Sequence, residues 1–489
     1  MSQARSADQV ATFESEAEMS ASARLRGAAV LGKVVFVALL GLIGFTAIPY
    51  GTADAWWKAF FICAVFTLGI FWLIEALLNP AWSDKVRDEW SLLLPPLALI
   101  LFSFLQTLSL GSFVNGPLAS GVITEAPWYA ISADPYQTRF FALQMLGLLL
   151  AGMLLLHYAS SERRWRLLIN VVIGVAVASA IYGIVRQTTQ HSAGFGLPII
   201  APGQGYGQFI NKNHFAYLME MGFGLILGLI LGGGVNREKA LMYLAALLPI
   251  WTALVLCGSR GGLIAMLAQV VTGALLFGNV ARLASSKPSG SKLLKITRSR
   301  PARWAMLIIL MGGVVFGTLW LGGDQLADRI EATRNEFGGD PTGSRQGASR
   351  NEVWKATWRM FSAHPILGVG MGGYWAAVSK FHDASGFLIP QEAHNDYLEL
   401  LASGGLVGLA IAVWFAMVVF RRTRDNLRST HRFRRAACFG TSIGIAGVAV
   451  HSLVDFGLHI IVNALVFTTL LVIAASRPRW AEEPTSNHA

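Results

Sequence analysis

Long apolar runs alternate with short polar ones along nearly the whole chain. Predominantly apolar stretches recur near 28–48, 56–78, 91–108, 138–157, 165–188, 213–232, 239–257, 261–279, 303–321, 404–420, 436–456 and 458–475. Runs of roughly 18 to 25 residues can each cross about 30 Å of hydrocarbon as a helix. The pattern predicts an all-α integral membrane protein of about twelve transmembrane helices. Spans seven and eight are separated by little more than Ser259-Arg260, which predicts a tight hairpin or one interrupted unit.

Two connections break the rhythm. Residues 189–212 are rich in Gly and Pro, and residues 322–403 form one long loop carrying both charge and aromatics. Loops of that length are uncommon unless they serve a function. The organisation is therefore a polar tail at 1–27, helices one to nine at 28–321, a catalytic loop at 322–403, helices ten to twelve at 404–475, and a tail at 476–489. The first tail, with Glu14, Glu16 and Glu18, reads as flexible. Within the long loop, Ser349 with Glu352 three residues on predicts a capped helix. Trp354, Trp358 and Phe361 follow at helical spacing, opposite Lys355 and Arg359, as expected of a short amphipathic helix. Pro365 ends it.

Composition agrees with this reading. The 489 residues are 54% hydrophobic and only 14% charged, against about 25% charged in soluble domains. The formal charge of +11 would suit nucleic acid if it were gathered in one patch. Instead Lys and Arg cluster in alternate loops: Arg163, Arg164 and Arg166; Arg237 and Lys239; Arg282 to Arg303; Arg421 to Arg435. Loops 49–55 and 109–137 have none. Alternation of this kind is the positive-inside rule; it puts both termini in the cytoplasm and the two unusual loops on the outer face. The basic linker 285–303 then reads as a topology determinant against anionic headgroups. No small-residue cleavage site follows the first span, so a retained anchor is expected. Cys63, Cys257 and Cys438 lie in or beside spans and form neither a disulfide framework nor a metal site.

Candidate chemistry collects on the outer face. "GVGMGG" (368–373) resembles a dinucleotide fingerprint, but it lacks the strand and crossover helix that motif requires, so it reads as a flexible turn. Arg260 stands in "CGSRGGLIA" where two spans meet; alone it could equally snorkel. Arg350 opens the capped loop helix, with Arg345 five residues earlier, and surface solvation is the plain alternative for both. "INKNHFAYL" offers Lys212, Asn213 and His214, of which Asn213 could be a simple N-cap. His451 and Asp455 are four residues apart, which allows either a structural hydrogen bond or direct chemistry. His394, Asn395 and Asp396 precede an apolar run. Asn395 or Asp396 can cap the helix that follows, which leaves His394, whose near-neutral pKa suits proton acceptance.

"HNDYLELLASGGLVGL", with "SRNEVWKATWRMFSAHPILGVGMGGY", "GSRGG" and "GQFINKNHFAYL", resembles the O-antigen ligase and O-antigen polymerase superfamily over roughly residues 140–475. These are bacterial inner-membrane glycosyltransferases of lipopolysaccharide or exopolysaccharide biosynthesis. The resemblance implies an undecaprenyl-diphosphate-linked glycan donor, a glycan or lipid A-core acceptor, transfer at the periplasmic face with inversion, and neither metal nor cofactor. It implies His394 as base, and Arg260, Arg350 and less securely Arg345 as diphosphate ligands; Asp396 or Asp455 would then orient the imidazole or stabilise its protonated form. Asn213, His214, Tyr397, His451 and Asp455 take supporting places. Polysaccharide-assembly proteins are further potential partners. The competing class is a polysaccharide transporter or lipid-linked glycan flippase, for which twelve spans also suit; no internal repeat supports it. Ligase and polymerase are not distinguished at this level, nor are sugar, linkage, acceptor and oligomeric state.

Overall fold

The computed structural model describes residues 2–79, 89–109, 130–190, 205–283, 312, 349–382 and 390–481. Arg345, the expected span at 303–321, the basic linker and much of both long loops lie outside the described residues. Among the described residues the chain is helical without strands. α1 (Ser2–Ala47), α2 (Ala55–Leu78), α3 (Trp90–Gln106), α4 (Pro135–Tyr158) and α5 (Glu162–Gln190) make the first half. α6 (Lys212–Leu231), α7 (Arg237–Leu256) and α8 (Arg260–Leu283) follow. Then come α9 (Arg350–Ala363), the short α10 (Tyr374–Val378), α11 (Asp396–Asn426), α12 (Arg432–His451) and α13 (Ile461–Ala475). The polar N-terminal segment is thus helical from Ser2, consistent with its Ala, Glu and Ser content and its lack of Pro or Gly before Gly27.

Eight helices are long and apolar enough to cross a bilayer: those of α1 (from Ala21), α2, α4, α5, α6, α7, α8 and α11. α3 and α13 are shorter apolar helices. The protein is a multi-pass membrane protein. Twelve is not reached among the described residues, and α12 shows one physical reason. Its first turns carry Arg432, Arg434 and Arg435, yet Arg434 and Arg435 are buried and most of the helix is enclosed by protein. A helix surrounded by other helices needs small, closely packing side chains more than lipophilic ones.

α6 and α12 run antiparallel at the centre. Gly224 and Gly228 on α6 stand backbone to backbone against Gly444 and Gly440 on α12, and Gly232 meets Ala436. A Cβ at Gly228 would collide with the main chain of Gly440. The four-residue spacing on both helices keeps these contacts on one face of each. α8 packs against both of these helices, and the Gln269 side-chain amide donates to the main-chain carbonyl of Glu220 on α6 at 2.8 Å.

α7 and α8 are joined by Cys257-Gly258-Ser259, with Gly258 at φ +61, a left-handed turn open to glycine. α9 carries both capping-box hydrogen bonds: Ser349 N to Glu352 Oε2 at 2.8 Å and Glu352 N to Ser349 Oγ at 3.3 Å. Its buried face is Val353, Ala356, Thr357 and Met360; of the aromatic stripe, Phe361 packs against that face, Trp354 donates from Nε1 to the Ala393 carbonyl at 3.0 Å, and Trp358 is exposed. "GVGMGG" is a turn, as expected, but a pinned one. Val369 N and Gly370 N donate to the carbonyls of Ala402 and Ser403, both at 3.0 Å.

The Gly–Gly seam predicts that Gly228→Leu separates α6 from α12. It should cost at least about 1–3 kcal/mol by overpacking. Gly41→Ala, where an added Cβ meets nothing within 4 Å, should leave the Tm in detergent unchanged or slightly raised. Equal melting of the two variants would show that the seam does not set the packing.

Candidate functional site

Three cations converge because three helices begin at one place. Lys212 opens α6, Arg260 opens α8 and Arg350 opens α9. Each start is fixed locally. Asn211 caps α6 by accepting from Asn213 N at 2.8 Å, so the cap is Asn211 and Asn213 is released for other work. Ser259 Oγ accepts from Gly262 N at 3.0 Å in the first turn of α8, and the capping box holds α9. The three side chains line one cavity of about 240 Å³ together with Asn213, His451 and Asp455; Gly258 and Gly261 contribute bare backbone to its wall. Helix N-termini carry about half a positive charge each, so dipoles and cations add in one sign. The cavity is built for an anion with several oxygens.

Asp455 is the counter-charge. It is fully buried, just past the end of α12. Asn213 Nδ2 and Phe456 N donate to its two oxygens, the latter at 2.9 Å. Arg350 stands 4.0 Å away, His394 Nδ1 3.7 Å and His214 Nε2 3.8 Å. Burial pushes its carboxyl pKa up, but the surrounding His394, His214 and His451 overcome this and hold it well below the usual range. Asp455 is therefore a carboxylate.

His394 takes a left-handed backbone, φ +51, immediately before the N-cap. Such a conformation costs a β-carbon residue about 1–3 kcal/mol and persists where surroundings over-determine it. Here the next residues are pinned. Asn395 Oδ1 caps α11 by accepting from Tyr397 N and Leu398 N, at 3.1 and 3.0 Å, and Asp396 N donates to the Ser452 carbonyl at 3.0 Å. The imidazole remains 36% exposed and packs edge-on to Phe456, at 4.8 Å between centroids. α11 begins at Asp396, well before the apolar run, and kinks at Gly405 (φ +60). His394 sits beside the cavity and is joined to it through Asp455.

Asp396 does not face His394 at ion-pair distance. Its Oδ1 lies 3.5 Å from His459 Nε2, and His459 also meets Glu392 at 3.4 Å and Glu399 at 3.7 Å. Burial lowers the His459 pKa, but Glu392, Glu399 and Asp396 outweigh it and raise it to about 10. This cluster heads an apolar groove of about 340 Å³ between α3, α4, α11 and α13. Ligand atoms of Glu392, Glu399 and His459 lie within 4.8 Å of one another, a spacing that a divalent cation can bridge. Protonated His459 already supplies positive charge there, and would have to shed its proton before binding metal.

The remaining expected residues separate. His451 pairs with Glu220 rather than with Asp455, its Nδ1 2.7 Å from Glu220 Oε1, because α12 ends at His451 and four-residue spacing no longer puts the two on one helical face. His214 is buried beside Asp455. Tyr397 is exposed and its hydroxyl donates to the Ala449 carbonyl at 2.8 Å, tying α11 to α12 away from the cavity. Glu220, Glu392, Glu399 and His459 were not singled out by the sequence pattern. Only Glu220 carried a usable signal: a carboxylate in the middle of an apolar span.

Residues 244–413 match the family model described as O-antigen ligase. The match includes Arg260, Arg350 and His394 and stops before His451 and Asp455. No curated protein sequence matches the chain.

With a folded pKa raised to about 10, protonated His459 stabilises the fold fully below its unfolded value of about 6.5, and that stability is lost as pH rises toward 10. The Tm in detergent should therefore fall between pH 7 and pH 10, and His459→Gln should flatten that fall. An unchanged slope in the variant would assign the loss to other groups.

Proposed function

We propose that this chain, whose residues 244–413 match the family model described as O-antigen ligase, is a membrane glycosyltransferase that moves a glycan from a polyprenyl diphosphate to an acceptor hydroxyl. The observation that carries the reading is the single cavity into which Lys212, Arg260 and Arg350 project from three helix N-termini. A diphosphate offers the matching charge and oxygen count, and arginine forks suit it geometrically.

Each residue then has a definable task. Arg260 and Arg350 bind the donor diphosphate and, with Lys212, hold the charge that grows as it leaves. His394 accepts the acceptor's hydroxyl proton. The new bond forms from that oxygen to the anomeric carbon as the carbon–oxygen bond to diphosphate breaks, and polyprenyl diphosphate departs with the electron pair. Attack opposite the leaving group inverts the anomeric centre. Asp455, near His394 Nδ1, orients the ring and stabilises the imidazolium that forms. Asp396 instead helps build the His459 cluster, and its carboxylate at the first turn of α11 suits the helix dipole. The apolar groove accommodates a polyprenyl tail among the helices.

The alternating distribution of Lys and Arg supports a bacterial inner-membrane protein with cytoplasmic termini and a periplasmic site. The acceptor is lipid A-core for a ligase, or a second lipid-linked repeat for an O-antigen or exopolysaccharide polymerase. The fixed cations take the place of a metal in neutralising the leaving group, and no nucleotide sugar is needed.

In proteoliposomes with a polyprenyl-diphosphate-linked oligosaccharide, Arg260→Ala and Arg350→Ala should each lower glycan transfer by roughly 10²–10³-fold. His394→Ala should lower it by about 10²–10⁴-fold. Transfer should survive EDTA. Normal rates of new glycosidic bond formation in all three variants, or transport of intact donor without bond formation, would overturn the reading.

A further inference from the structure

Glu220 lies midway along α6, fully buried, and nothing in the transfer reaction described above uses it. Its Oε1 is 2.7 Å from Nδ1 of His451, and both side chains are 0% exposed. His451 ends α12 and lines the cavity that holds Arg260 and Arg350. Its other ring nitrogen, Nε2, has no hydrogen-bond partner among the described residues. That nitrogen faces Gly261 in the first turn of α8, where an added Cβ would stand 2.5 Å from it. Glycine at 261 therefore sets only main chain, and no side chain, beside the buried Nε2, and both residues line the same cavity. Tyr217 stacks on the ring at 4.2 Å and 21°, which fixes its plane.

We propose that Glu220 is a positioning residue that makes His451 a hydrogen-bond donor, through Nε2, to the donor diphosphate in the Arg260–Arg350 cavity. The inference rests on the polyprenyl-diphosphate reading of that cavity.

Proton counting supports the donor role. A lone carboxylate beside a neutral imidazole would leave one uncompensated charge in a fully buried site, which is costly. The neutral pair has two forms: carboxylate with imidazolium, or carboxylic acid with imidazole. They differ only in the position of the proton between Oε1 and Nδ1. In both, Nε2 carries a hydrogen. Glu220 thus keeps Nε2 a donor whichever side holds the shared proton. Asp455, the acid that lines the cavity, is already engaged by Asn213 and Phe456, with His394, His214 and Arg350 around it. Glu220 is the acid in hydrogen-bond contact with His451.

The role is distinct from that of His394. His394 must accept a proton from the acceptor, whereas His451 keeps its own and offers a hydrogen bond to oxygen whose charge grows as the glycan departs. Two imidazoles in unlike surroundings serve opposite ends of one displacement. A donor aimed at developing charge acts mainly on kcat, while the two arginines hold the ground-state diphosphate.

The test uses the full-length protein in nanodiscs, with steady-state transfer and direct binding of polyprenyl diphosphate measured for each variant. His451→Phe and Glu220→Leu should each lower kcat by roughly 10²-fold with KM within about threefold of wild type. Glu220→Gln keeps the shape and one hydrogen bond, so its kcat should fall less, by about tenfold. Glu220→Asp, which restores the acid, should recover more activity than Glu220→Leu. Adding Glu220→Leu to His451→Phe should cost nothing further, because Glu220 acts through His451. Wild-type kcat in Glu220→Gln and His451→Phe, or full additivity in the double variant with polyprenyl diphosphate binding intact, would overturn the proposal. If Arg260→Ala and Arg350→Ala also bind and transfer normally, the diphosphate reading itself falls. If they fail while the Glu220 and His451 variants turn over normally, only this inference falls.

Discussion

The fold depends on how closely α6 and α12 approach. Gly224 against Gly444 and Gly228 against Gly440 remove the side chains that would hold these helices 8–10 Å apart, the usual interaxial distance. In lipid there is little hydrophobic force between apolar helices, so close van der Waals contact has to do that work. The antiparallel arrangement carries a functional consequence. The start of α6 and the end of α12 are brought side by side, and with them Asn213 to Asp455 and Glu220 to His451. Buried polar pairs of this kind can form only where backbones already meet. The glycine seam is thus the precondition for the polar site at its end.

Around that seam the site is organised by charge. Three helix starts and three cations would repel one another in a small cavity if nothing opposed them. Asp455 supplies the opposing charge, and its burial is tolerable because donors and cations surround it. The same carboxylate lies near His394 Nδ1, so one residue both offsets the cationic wall and stands beside the imidazole proposed as base. His394 gains its placement from strain: a left-handed backbone locked by the Asn395 cap and the Asp396–Ser452 contact.

Much of this was legible in the sequence where the signal was local. The capping box of α9, the short break between spans at Ser259 and a cap at Asn395 or Asp396 depend on neighbouring residues; the first two are present and Asn395 is the cap. The gathering of Arg260 and Arg350 was inferred from a shared membrane face and from family resemblance. What the sequence hid was pairing between distant segments. Glu220 reads as one polar residue in an apolar span, and its partner lies 231 residues away. Asp396 is adjacent in sequence to the His394–Asn395 pair, yet the helix start turns its side chain toward His459. Asp455 is remote from His394 in sequence and faces it in space. The expected count of twelve is also not reached among the described residues: the run at 436–456 does form a helix, α12, but one that is basic at its start and nearly enclosed by protein.

The two carboxylates that the sequence left as alternative partners for His394 have been divided between two environments. Asp455 belongs to a polar, cation-lined cavity of about 240 Å³. Asp396 belongs to the head of an apolar groove of about 340 Å³, with Glu392, Glu399 and His459. His394 is two residues from the second and faces the first. A transferase with a lipid-linked substrate has to bring an apolar chain, a charged linkage and a sugar hydroxyl to one point. Oxygen-binding cations and lipid-compatible walls cannot occupy the same surface without one spoiling the other's solvation. The structure resolves that conflict by placing them on opposite sides of one short turn before α11. That separation accounts for a proposed base on a strained residue at a helix threshold: it is the position in the chain that borders both.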